Sequence, residues 1–227
     1  MPEKRVKNRP PRTRRAESQS ADRSARHETK KERARRSPTA FLQSAEEHQQ
    51  LPTHGMPEIA FIGRSNVGKS SALGVLLRKP DLVRVSKTPG RTQLLNLFRF
   101  EGSTAFVDLP GYGYAKLSKS QKDRLSVMVR DYLAEREGLS GVVLLMDARR
   151  DGPSDDDRRV ADWILEHDRP LLLVLTKIDQ VPKNRRLHHT RRYERAFEVE
   201  PGVAIPFSAA TGEGREALLR QIQAVSA

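Results

Sequence analysis

The sequence predicts a three-layer α/β domain: a mostly parallel sheet of about six strands with helices on both faces. Three observations lead there. Beyond about residue 55, strand-like and helix-like segments alternate. Three of the apolar runs, residues 58–62, 142–146 and 171–175, are nearly continuous, as strands buried on both faces are. A glycine-punctuated loop ending in Lys-Ser joins the first of these runs to a helix-compatible stretch, Ala72 to Leu77.

In chain order, strands are expected at 58–62, 94–100, 104–109, 142–147, 171–176 and 203–207. Helices are expected at about 69–78, 119–136, 154–167, 183–197 and 213–225. The runs 94–100 and 104–109 adjoin without an intervening helix and so predict a hairpin. In the segment from Asp156, the residues Val160, Trp163, Ile164 and His167 recur at helical spacing, a stripe read as core packing. Pro52, Gly55 and Pro57 mark a hinge, which divides the chain into a basic, disordered extension (1–54) and a folded domain (55–227).

Charge supports that division. Residues 1–40 hold 14 Lys and Arg against 5 Asp and Glu, a net of +9 out of the +13 of the 227-residue chain. This stretch lacks apolar periodicity and is rich in Arg, Ser and Pro, the composition of disorder, and such an arm can neutralise nucleic-acid phosphates. Its five acidic residues argue against a transit peptide. No apolar run approaches the roughly 18 residues of a membrane span, and with no cysteines, disulfides, thiol catalysis and sulfur-ligated zinc are excluded. A cytoplasmic protein without membrane contact is expected.

The chemistry begins at Gly63-Arg64-Ser65-Asn66-Val67-Gly68-Lys69-Ser70, which fits G-x-x-x-x-G-K-[ST] in a strand–loop–helix setting. Its glycines let successive N–H groups face a phosphate, Lys69 adds a point charge for the outer phosphates, and the Ser70 hydroxyl can ligate magnesium. This motif predicts a P-loop NTPase. A second phosphate-site element, Asp108-Leu109-Pro110-Gly111, ends the strand at 104–109, where open α/β sheets bind ligands. Asp108 can hold magnesium through a water, and Gly111 offers an N–H that approaches a γ-phosphate with no side chain in the way. Thr176-Lys177-Ile178-Asp179 follows the run 171–175. A carboxylate at Asp179 accepts from the N1–H and exocyclic amine of guanine, whereas adenine would leave it unsatisfied. The Lys177 stem can lie along the base, and Ile178 is expected to point away from it. The turn Phe207-Ser208-Ala209, before Thr211-Gly212-Glu213-Gly214, can close over the base.

In this order the elements resemble those of a translation-factor-type GTPase. Ser86-Lys87-Thr88-Pro89-Gly90-Arg91-Thr92-Gln93 and Asp108-Leu109-Pro110-Gly111-Tyr112-Gly113-Tyr114-Ala115-Lys116 narrow the match to the EngB (YihA/YsxC) family, in the TrmE-Era-EngA-EngB-Septin-like group, over about residues 55–225. The resemblance implies a Ras-like G domain, GTP and GDP as ligands, slow hydrolysis, Mg2+ as cofactor, a role in assembling the large ribosomal subunit, and normal cell division and septation. It makes Thr92 a magnesium ligand beside Ser70, with Gly90, Arg91, Thr92, Gln93 and Leu94 wrapping the phosphates and Thr92 released on hydrolysis. A monomer whose partner is the large subunit or its rRNA is expected.

Ras-like enzymes carry a water-orienting glutamine just after D-x-x-G. Tyr112 stands there in this chain and cannot do that work, so slow turnover is expected and no catalytic base is assigned. Asn66 resembles the asparagine that holds a potassium ion in related GTPases, with stabilisation of the loop as its alternative role. Gly74 departs from the family pattern and weakens its helix by roughly 1 kcal/mol. Lys183, Arg185, Arg186, Arg191, Arg192 and Arg195, with His188 and His189 among them, form either an rRNA-facing patch or a solvated helix face. The histidines lack companions at zinc spacing. Two other classes compete with a GTP switch. One is an adenine-specific P-loop enzyme, against which Asp179 speaks. The other is an RNA-binding or division-site scaffold with a structural nucleotide site.

Overall fold

The computed structural model describes residues 37–85, 94–114 and 117–227. Two units divide the chain, Met1–Ser37 and Pro38–Ala227, and the second carries the described sheet and helices. Its strands are β1 (Ala40–Ala45), β2 (Glu58–Gly63), β3 (Leu95–Phe100), β4 (Thr104–Asp108), β5 (Leu139–Asp147), β6 (Leu171–Thr176) and β7 (Ile205–Pro206). Its helices are α1 (Lys69–Leu77), α2 (Pro80–Val85), α3 (Lys119–Glu135), α4 (Asp155–Glu166), α5 (Lys183–Ala196) and α6 (Arg215–Ser226).

The sheet runs β1-β3-β4-β2-β5-β6-β7. The four pairings from β4 through β2, β5 and β6 to β7 are parallel, whereas β3 is antiparallel to both β4 and β1. The expected hairpin is therefore present, and its turn is made by Glu101 and Gly102, both at positive φ.

Alternation along the strands explains why these runs read as continuous apolar sequence. Ala60, Ile62, Val142, Leu144, Met146, Leu173 and Leu175 face one layer, where Val129, Tyr132 and Leu133 of α3 and Val160 and Ile164 of α4 pack on them. Ile59, Phe61, Val143, Leu145, Leu172 and Val174 face the other, against Leu73, Leu76 and Leu77 of α1 and Leu218 and Ile222 of α6. A sheet covered on both faces leaves no room for a polar alternate residue. In the α4 stripe, Val160 and Ile164 are buried as expected, while Trp163 is half-buried under the Arg130 guanidinium, 5.1 Å from its ring centroid. His167 is the residue that ends the helix.

Residues 38–54, placed with the extension from sequence, form part of the folded unit here. β1 adds a seventh strand beside β3, with a register shift between Phe41 and Gln43, and His48–Gln50 forms a 3-10 turn against α3. The strand AFLQSA is half-buried along most of its length, so it shows no clean alternation to read. Gly74 also finds its reason. A Cβ there would lie 3.3 Å from Pro80 Cα, so the glycine lets α2, which is not evident in the sequence, fold back onto α1.

Candidate functional site

All the described phosphate- and base-site motifs lie at the C-terminal ends of β2, β4 and β6, or in the loop after β7. The loop Gly63–Gly68 leaves β2 and turns into α1. Asn66 and Gly68 adopt φ of 64° and 106°, so neighbouring amides swing to one side and form an anion-receiving concavity. Gly63 is required by close approach, since a Cβ would sit 2.7 Å from the Leu145 carbonyl oxygen. Thr176 Oγ1 donates to the Val67 carbonyl (2.7 Å) and lies 3.0 Å from that of Met146, and Lys177 Nζ donates to the Asn66 carbonyl (2.8 Å). The end of β6 thereby fixes the loop.

Lys69 reaches from α1 to the end of β4, where it pairs with Asp108 and donates to the Leu109 carbonyl at 2.6 Å. The parallel pairing of β2 and β4 makes this reach short, because it places Phe61 beside Asp108. Backbone bonds then stitch the loop after β4 to the loop after β2: Ser65 N–H donates to Tyr112 O (2.8 Å) and Tyr112 N–H to Gly63 O (3.3 Å). Ser70, Asp108, Leu109 and Gly111 share a cavity of about 570 Å³ with the loop residues Arg64 to Lys69, with Leu94 and with Tyr114. Pro110 lies on the other side of the loop, in a neighbouring cleft against α3 and α4.

A second cavity, of about 370 Å³, shares Gly68, Ser71 and Lys177 with the first. Thr176, Asp179, Phe207 and Ala209 line it. The Asp179 carboxylate makes no hydrogen bond among the described residues, which leaves it available to an incoming donor pair. Ile178 is fully buried and packs in the core. Its N–H donates to Phe207 O at 3.2 Å, which ties the two base-side loops together. Ser208 is buried too. Its hydroxyl accepts from Ala210 and Thr211 N–H at 3.2 Å each, so this serine shapes the turn and does not line the cavity. Gly90, Arg91, Thr92 and Gln93 lie outside the described residues.

A buried carboxylate that no sequence motif marks also stands at this edge of the sheet. Asp147, at the end of β5, accepts from Lys177 Nζ at 2.9 Å and from Arg149 Nε at 2.8 Å. Burial opposes its ionisation, but hydrogen bonds from Arg149 and Lys177 outweigh that and hold its pKa at about 2. Arg149 also places positive charge near Asp179. A carboxylate ending the apolar run Leu144-Leu145-Met146 was the available signal, since it stands at the same edge as Asp108.

Tyr112 turns away from the phosphate cavity and donates to Asp157 of α4 at 2.5 Å. Burial and then the Asp157 charge push its hydroxyl far above the usual tyrosine range. On α5, Arg186 pairs with Glu213, Arg191 with Glu194 and Arg192 with Asp151. Glu194, the only acidic residue of that helix, is buried and bonded to the Gly202 and Ala204 amides. The outward face of α5, with Lys183, Arg185, His188, Arg192 and Arg195 exposed, therefore carries cationic charge without a carboxylate of its own.

Known proteins share this arrangement. A family model described as "50S ribosome-binding GTPase" matches residues 58–177. The probable GTP-binding protein EngB of Geobacter sulfurreducens is 44% identical over 187 residues, 82% of this chain and 90% of the relative. That of Anaeromyxobacter dehalogenans is 43% identical with the same coverage. A crystal structure of a probable GTP-binding protein engB superposes with a TM-score of 0.63 at 26% identity, covering 74% of this chain and 97% of its own. Aquifex aeolicus Era bound to GDP and AlF4- shares the fold, with a TM-score of 0.58 at 22% identity over 76% of this chain and 57% of its own. With a Ras-like G domain, a phosphate loop pinned by the guanine-motif strand and relatives matched over most of their length, the chain belongs to the EngB family of GTP-binding proteins.

Proposed function

We propose that the chain hydrolyses GTP slowly and acts as a molecular switch in assembly of the large ribosomal subunit, with normal division and septation depending on that step. The single observation that carries the reading is a trough made of the two adjoining cavities, which share Gly68, Ser71 and Lys177. It runs from Gly111 and Asp108 past Lys69 and the loop amides to an unengaged Asp179 carboxylate, and a triphosphate with a guanine at its far end fits that polarity. Ser70 borders the trough, and its hydroxyl has no partner among the described residues, which suits a magnesium ligand. Thr92 would join it as second ligand, and magnesium held there would supply positive charge against the phosphates. The Asn66 side chain would offer an oxygen to a potassium ion. Tyr112, engaged with Asp157, supplies no water-orienting group, in keeping with slow turnover.

The outward face of α5 meets rRNA phosphates, and the protein works as a cytoplasmic monomer. In support, Era, of the same fold, has been crystallised with 16S ribosomal RNA (TM-score 0.57, 22% identity). Among the described residues no helix is long and apolar enough to cross a membrane.

Calorimetry with GDP, GTP and ATP tests the pocket. Guanine nucleotides bind and ATP does not, and Asp179→Asn moves preference toward xanthosine diphosphate, whose C2 carbonyl accepts from the new amide. Equal affinity for ATP would end the guanine assignment. Co-sedimentation with large subunits, with GTP against GDP, tests the switch, and binding that ignores the nucleotide leaves the scaffold reading in its place.

A further inference from the structure

Two tyrosines flank Gly113, and both border the cleft against α3 and α4. Tyr112 is bonded to Asp157 of α4, whereas Tyr114 also lines the phosphate cavity with Lys69 and Asp108. The turn between them is made by Gly113, whose φ of 69° is left-handed and whose missing Cβ clears Arg64, otherwise 2.6 Å from it. The base-side cavity joins this one at Gly68, Ser71 and Lys177, so the end bounded by Asp108, Gly111 and Tyr114 is the end farthest along the phosphate chain.

There the Tyr114 hydroxyl stands over Gly111, 3.2 Å from where a Cβ would be. Its own proton has no acceptor among the described residues. Burial, followed by the Asp108 charge, raises its pKa, so the group stays a neutral phenol and a donor, unfit as a base.

We propose that the Tyr114 hydroxyl donates a hydrogen bond to the terminal phosphate of GTP and so makes the site distinguish triphosphate from diphosphate. A hydrogen bond onto an anionic oxygen is of the strong class. A diphosphate ends short of this donor and gains nothing from it. This inference rests on the GTP-binding reading above and adds the residue that senses the third phosphate.

The test is Tyr114→Phe, with affinities for GDP and for a non-hydrolysable GTP analogue measured by calorimetry in magnesium, and single-turnover hydrolysis alongside. The expected result is an analogue affinity about tenfold weaker against an unchanged GDP affinity, with slower hydrolysis. A purely structural ring would move both affinities together or neither, and a ratio within twofold of wild type overturns the proposal. Retained GDP binding shows that the pocket itself survives, whereas loss of all guanine nucleotide binding by wild-type protein would sink the underlying reading instead. Tyr114→Leu, which removes ring and hydroxyl together, must show at least the same loss of ratio.

Discussion

The two ends of the sheet both bury carboxylates, and they treat them in opposite ways. At the end where β2 begins, Glu58 is 1% exposed. It takes Arg136 Nη2 at 2.5 Å, Arg136 Nε at 2.9 and 3.0 Å and Tyr132 Oη at 2.7 Å. His54 Nε2 lies 3.1 Å away, without the alignment of a hydrogen bond. The Glu58 carboxylate is satisfied from within: Arg136 and Tyr132 of the same chain supply its donors, and little of its own capacity is left for a ligand. At the end where β4, β5 and β6 finish, Asp108, Asp147 and Asp179 differ in how far they are engaged. The first is paired with Lys69, the second is shared by Lys177 and Arg149, and the third makes no hydrogen bond among the described residues. Ionic pairing alone does not mark a binding site. Residual hydrogen-bonding capacity facing a cavity does.

Breaking the closed end should have the larger effect on stability. Arg136→Met leaves Glu58 buried with its charge uncompensated, a change of the class that costs about 3–5 kcal/mol. For a chain of this size that is roughly a 10 °C fall in Tm. GDP affinity, measured below the transition, should remain as in wild type. A Tm within 2 °C of wild type would show that Glu58 is neutralised by other means. At the open end the sizes reverse. Asp179→Asn replaces an acceptor facing two donors by an amide, and two lost charge-assisted bonds correspond to about a hundredfold weaker GDP binding. The Tm without nucleotide should stay close to wild type, because Asp179 has no hydrogen bond within the described chain to lose and the Arg149 charge near it is solvent-exposed. An unchanged GDP affinity would remove Asp179 from the base site.

A pH titration sharpens the contrast inside the open end. Asp147 has a native pKa of about 2 against an ordinary value of 3.8. A depressed carboxylate pKa stabilises the fold fully above the ordinary value, and the contribution fades as pH falls through about 2. The difference corresponds to about 2 kcal/mol. Acid unfolding monitored from pH 6 to pH 2 should therefore lose a limb below pH 4 in Asp147→Asn relative to wild type. Superimposable acid limbs would mean that Arg149 and Lys177 contribute no net stabilisation through this carboxylate.

The same contrast explains what the sequence could disclose. The phosphate loop, Asp108 and Asp179 are local signals, each a short string at the end of an apolar run, and all three lie just beyond or at the C-terminal ends of strands and border the two cavities. Ser208, inside such a string, serves the turn instead, because its hydroxyl is taken by two amides of its own loop. Glu58 was passed over because its partner Arg136 lies far along the chain, and Asp147 because one of its two partners, Lys177, does so as well, although Arg149 stands only two positions on. β1 and α2 were missed for a related reason. Both are six residues long, and β1 owes its place to pairing with β3, more than fifty positions away, rather than to a pattern of its own.

The smallest predicted effect probes the link between motif and scaffold. Thr176 stands where many GTPases carry asparagine, and its buried hydroxyl meets two carbonyls, Val67 O of the phosphate loop and Met146 O of β5. One proton serves both acceptors, so the bond to Val67, shorter at 2.7 Å against 3.0 Å, carries most of the restraint. Thr176→Val keeps the shape and removes the donor, leaving the Val67 carbonyl without this bond at a cost of about 1 kcal/mol. Because the lost bond restrains the loop that receives the phosphates, GDP affinity should fall by severalfold along with Tm. A Tm loss with GDP affinity unchanged would show that Lys177, through the Asn66 carbonyl, holds the loop alone.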